Sequence, residues 1–86
     1  MTKFQTNQDG NNQKVNIELS KDEAVVFFEF LGRINEIENN SMIEDQSEQR
    51  ALWDIECILE KSLSEPFRKD YSEILKKARE NVRDEE

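Results

Sequence analysis

Eighty-six residues with one cysteine, no histidine and a net charge of −8 make a small, acidic, single-domain chain. The lone Cys57 excludes an intrachain disulfide and a thiolate-rich metal cluster. Without histidine, the commonest general base and metal ligand is also missing, so no enzyme, metal centre or cofactor is expected.

Residues 1–14 are rich in Asn, Gln, Thr and Gly, carry the turn signal Asp9-Gly10, and include Phe4 as their large apolar side chain. They read as a flexible polar lead-in, and nothing in Met1-Thr2-Lys3-Phe4-Gln5-Thr6-Asn7 has the apolar run of a signal peptide. No stretch approaches the roughly 20 apolar residues that span a bilayer, so a cytoplasmic setting is expected. The compact helical domain is expected over residues 15–83. Val15-Asn16-Ile17-Glu18-Leu19 opens it with strict alternation, the pattern of one short strand.

The first helix has a clean start. Ser20-Lys21-Asp22-Glu23 is a capping box, in which the serine caps the first turn and Glu23 reaches back to it. The apolar period of Ala24, Phe27, Phe28, Leu31, Ile34 and Ile37 carries the helix from residue 21 to about residue 38, with Phe30 widening the apolar face. Asp22, Glu29, Arg33 and Glu36 fall opposite, with Glu29 and Arg33 spaced for an i,i+4 ion pair.

Asn39-Asn40-Ser41 ends that helix, and Met42-Ile43 offers a plug for the connection. Asp45-Gln46-Ser47-Glu48 repeats the cap spacing and starts a second helix over residues 46–62. Its core stripe is expected to be Ala51, Leu52, Ile55, Ile58, Leu59 and Leu63, while Trp53 and Cys57 stand one turn apart on nearly the opposite side. If the second helix were central, Trp53 would be core; if not, Trp53 is the kind of aromatic that anchors a protein interface. A nucleophilic Cys57 is not expected, because its neighbours Glu56 and Glu60 are acidic rather than basic and no histidine is present to activate it.

Ser64-Glu65-Pro66-Phe67 opens a single turn with proline in a first-turn position, and Pro66-Phe67 should plug the end of the core. Asp70-Tyr71-Ser72-Glu73 then starts a third helix from residue 71 to about residue 83, whose apolar face is Tyr71, Ile74, Leu75, Ala78 and Val82. Residues 84–86 are an acidic tail. The expected fold is mainly α: one short N-terminal strand followed by three amphipathic helices, β-α-α-α. A lone strand needs a partner, supplied by the N-terminal arm, by a target or by a second copy, and a homodimer is the expected assembly.

Charge points to the kind of partner. Residues 22–60 hold eleven acidic side chains against Arg33 and Arg50, a balance of −9, whereas residues 61–86 hold seven of each. Such a field repels phosphates, so neither nucleic acid nor an anionic membrane is expected, and a basic protein is its natural complement. The bland counterpart is that acids on amphipathic helices are simply solvated.

The segments Leu19-Ser20-Lys21-Asp22-Glu23-Ala24 and Phe28-Glu29-Phe30-Leu31-Gly32-Arg33 resemble a class of small acidic bacterial proteins of uncharacterised function. So do Ala51-Leu52-Trp53 with Leu59-Glu60, and Glu65-Pro66-Phe67 with Asp70-Tyr71, Leu75 and Ala78-Arg79. The resemblance spans residues 15–83. It implies a bacterial cytosolic setting and carries no activity. The expected function is a protein-binding module, an inhibitor, immunity or antitoxin-like neutraliser of a basic partner, with Glu29, Glu36, Trp53, Asp54 and Glu56 as its contacts. A structural homo-oligomeric subunit is the alternative.

Overall fold

The first helix begins where its capping signature places it. In a computed structural model that describes residues 13–84, the Glu23 amide donates to Ser20 Oγ at 3.0 Å and the Ser20 amide donates to Glu23 Oε1 at 2.9 Å. Three helices follow in order, α1 (Lys21–Ile34), α2 (Gln46–Ser62) and α3 (Tyr71–Arg83), with a 3-10 turn at Glu65–Phe67 before the last. The lead-in over residues 1–12 and the end of the acidic tail at 85–86 lie outside the described residues.

Residues 15–19, expected as a strand, belong to no helix or strand among the described residues, and the N-terminal arm, one of the three candidate pairing partners, lies mostly outside those residues. The helical part of the expected fold is present.

α1 stops at Ile34, short of the expected end near residue 38. Its last amides tighten into three-residue bonds, Glu36 to the Arg33 carbonyl at 3.2 Å and Ile37 to the Ile34 carbonyl at 3.3 Å. Asn39 then takes a left-handed backbone (φ 54°), which an asparagine tolerates and which turns the chain away. Ile37 and Met42 are consequently exposed rather than part of the core.

α2 and α3 each pack against α1 rather than against each other, so α1 and not α2 is the central helix. Both run antiparallel to it. On the α3 side, Asn81 Nδ2 donates to Asp22 Oδ2 at 2.9 Å and the Tyr71 hydroxyl donates to Glu29 Oε1 at 3.0 Å. On the α2 side, Asn35 at the end of α1 meets Gln49 and Glu56, while Lys21 at its start pairs with Glu65 just beyond α2, at 3.0 Å. Burial follows the same plan. Val25 and Leu31 of α1 are fully enclosed, joined by Ala24, Leu59, Leu63, Leu75 and Ala78.

α3 buries the face expected of it, with Leu75 and Ala78 inside and Tyr71, Ile74 and Val82 half-buried. α2 does not. Its inward residues are Gln49, Leu52, Glu56, Leu59 and Leu63, while Ala51, Ile55 and Ile58 are exposed. At about 100° per residue this face is rotated by roughly one-fifth of a turn from the expected stripe. Phe67, expected to plug the core, is also exposed, and Pro66 beside it is half-buried.

Candidate functional site

The five expected contact residues do not share one surface. Glu29 and Glu56 are half-buried and engaged inside the fold, Glu29 by the Tyr71 hydroxyl and Glu56 by Asn35 Nδ2 at 2.6 Å. The Tyr71 hydroxyl is pushed up to about 12, by burial first and then by its hydrogen bond to the Glu29 carboxylate, so it stays a donor across the physiological range. Glu36 is exposed, in the turn that follows α1 rather than on the helix. Trp53 and Asp54 are exposed on α2, and Asp54 makes only a loose ion pair with Arg50 at 3.9 Å.

Trp53 is thus an edge residue, half exposed at 50%. Beside it lies an open hollow of about 540 Å³ lined by Gln46, Ser47, Gln49, Arg50 and Trp53. Cys57, one turn further along, is exposed and free. Among the described residues no three Cys, Asp or Glu side chains gather as a set of metal ligands, and no helix is long and apolar enough to cross a membrane.

A second surface includes Phe27, Phe30, Ile55, Ile58 and Val82, which their period assigned to apolar faces. One groove, of about 500 Å³, lies between the segment before α1 and the outward ridge of α2, and includes Ile17, Leu19, Phe27, Ile55 and Ile58. A second groove, of about 350 Å³, lies between α1 and α3, with Val26, Phe27, Phe30 and Val82 as its apolar lining and Arg33 and Arg79 among its polar residues. Phe27 lines both, so the grooves form one apolar belt across the three helices.

The two arginines are the basic element of this belt. Arg33 does not pair with Glu29 as its spacing suggests; its guanidinium sits over the Phe30 ring, 5.7 Å from the centroid. Neither Arg33 nor Arg79 has a carboxylate oxygen within 4.0 Å among the described residues. The sequence signal for the groove was Phe30 on the edge of an already wide apolar face, one turn from Arg33.

No protein-family model, curated protein or solved structure matches the chain.

Proposed function

We propose that the chain is a protein-binding module that covers and neutralises a basic protein partner, using the outer edge of α2. One observation carries this reading: Trp53, the chain's single tryptophan, is half exposed at the edge of α2 instead of filling the core. A large aromatic that contributes little to its own core is the residue type most often found anchoring an interface. The surrounding charge sets the partner's sign. The stretch 22–60 carries eleven acids and two arginines, so encounter with a basic surface is accelerated and its orientation selected, while phosphate-bearing nucleic acids and anionic membranes are repelled.

Trp53 and Asp54 form the contact face, with Glu36 as a further acid in the turn after α1; Glu29 and Glu56 act within the fold. Neutralisation is steric cover in the cytoplasm, with no covalent step and no cofactor. The test is capture from a bacterial lysate by the parent chain and by Trp53→Ala, in low and high salt. The reading requires a stoichiometric basic protein that the parent retains, that salt releases, and that the folded variant fails to hold. A variant that loses its helical circular dichroism, or one that captures as the parent does, removes Trp53 from the contact.

The alternative, a structural homo-oligomeric subunit, is favoured by a different observation, the exposed apolar belt.

A further inference from the structure

We propose that the chain covers its own α2 groove: residues 2–6 fold back across Asp9-Gly10, pair antiparallel with residues 15–19, and lay Phe4 beside Val15 and Ile58. This inference is independent of the Trp53 contact.

The groove runs along an unused pairing edge. Val15, Ile17 and Leu19, the alternate residues of the segment before α1, all line it, opposite Ile55 and Ile58 of α2. Val15 is 88% exposed and Ile17 77%. Among the described residues, residues 15–19 make no backbone hydrogen bond to another part of the chain. The segment thus offers free backbone groups and an apolar face together, which are the two things a second strand pairs with.

The occupant follows from where the rest of the chain enters. Residues 1–12, outside the described residues, join the structure at Gln13, two residues before Val15. Asp9-Gly10 is a dipeptide suited to a two-residue hairpin turn, whose central positions need positive φ. A hairpin closed there sets residue 8 opposite residue 11, and the same count brings Phe4 opposite Val15 and Thr2 opposite Ile17. Side chains alternate along a strand, so Thr2, Phe4 and Thr6 share the face of Val15 and Ile17, with Lys3 and Gln5 on the other. Threonine and phenylalanine both favour strands, and Phe4 is the one aromatic among residues 1–12. The register delivers it to the uncovered wall. An isolated hairpin is marginal in water, and the helical floor of Phe27, Ile55 and Ile58 supplies the packing it lacks. A tethered arm also meets the groove at an effective concentration on the order of millimolar, an advantage that neither a second copy nor a foreign strand has.

The experiment is amide hydrogen exchange by NMR on the full chain over a concentration series, with sedimentation for its mass and far-UV circular dichroism on each variant. In this register Val15 and Ile17 hydrogen-bond reciprocally with Phe4 and Thr2, whereas the amides of Asn16 and Glu18 point away. The Val15 and Ile17 amides should therefore exchange at least about tenfold more slowly than those of Asn16 and Glu18. The Phe4 ring should also show nuclear Overhauser contacts to the methyl groups of Val15 and Ile58. Phe4→Ser and Gly10→Val alter the anchor and the turn ahead of the three helices, and Ile58→Ser alters the exposed groove wall. Each should keep its helical circular dichroism and lose the alternating protection. Equal exchange along residues 15–19, or slow exchange at Asn16 and Glu18 instead, overturns the proposal. So does protection that fades on dilution as the mass falls, which gives the groove to a second copy, or protection that Phe4→Ser and Gly10→Val both retain.

Discussion

Asn35 Nδ2 donates to Glu56 Oε1 at 2.6 Å where α1 ends, tying that end to the inward face of α2. Asn35 Oδ1 accepts from Gln49 Nε2 at 2.8 Å, and Asn35 Nδ2 also lies 3.5 Å from the Leu52 carbonyl oxygen. One polar side chain thereby holds three positions on one face of α2. With Glu56 turned toward α1, the step of about 100° per residue turns Ile55 and Ile58 outward. The inward Glu56 carboxylate and the outward Ile55 and Ile58 therefore belong to one and the same rotation of α2.

Asn35→Ala should therefore cost more than an ordinary turn substitution. It removes a hydrogen bond to a carboxylate and leaves Gln49 and Glu56 half-buried without that partner, a loss of about 1–2 kcal/mol in urea unfolding. An unchanged unfolding midpoint would mean that apolar packing alone orients α2.

Two neighbouring residues test that orientation directly. Leu59 is 9% exposed and Ile58 61%, although the apolar period places them in one stripe. Leu59→Ala should destabilise by about 2–4 kcal/mol. Ile58→Ala should cost less than about 1 kcal/mol, provided both are measured at concentrations where the chain is monomeric. Equal losses at the two positions would restore the stripe expected from sequence and close the α2 groove.

Helix starts were readable because they are local: Ser20 and Glu23 lie three apart, and Asp45 is in place to accept from the Ser47 amide at 2.8 Å. The end of α1 was not, since Ile37 continues the apolar period and nothing nearby announces that Asn35 will bond across to another helix. The face of α2 was ambiguous for a related reason. Its apolar residues span more of the circumference than one neighbouring helix covers, and the face turned inward includes the polar Gln49 and Glu56. For the site, the position of Trp53 off the main stripe was readable. The inward roles of Glu29 and Glu56 were not, because Tyr71 and Asn35 are distant in the chain.

Matching cap sequences need not do matching work. Ser20 completes a capping box, whereas Asp70, at the start of α3, makes no side-chain cap and instead takes the Arg68 guanidinium at 3.1 Å. Ser20→Ala should lower stability by about 1 kcal/mol, while Asp70→Ala should leave the thermal midpoint within error, since it breaks only an exposed ion pair. A comparable drop for Asp70→Ala would show that its carboxylate caps α3 in solution.

Alkaline pH should loosen the α1–α3 contact through Tyr71. Its hydroxyl is raised from 10.0 to about 12 in the folded chain, by burial and by the Glu29 carboxylate that accepts its proton. The folded state therefore holds that proton more tightly than the unfolded state. The stabilisation is complete below pH 10, falls as the unfolded tyrosine ionises, and is gone once pH passes about 12. Tyr71 is the only tyrosine, so the rise in phenolate absorbance reports it alone. The native chain should titrate well above the same chain in denaturant, and Tyr71→Phe should flatten the fall of the urea midpoint across that window. A native titration midpoint equal to that in denaturant would place the hydroxyl in water, free of Glu29, and would remove this tie between α1 and α3.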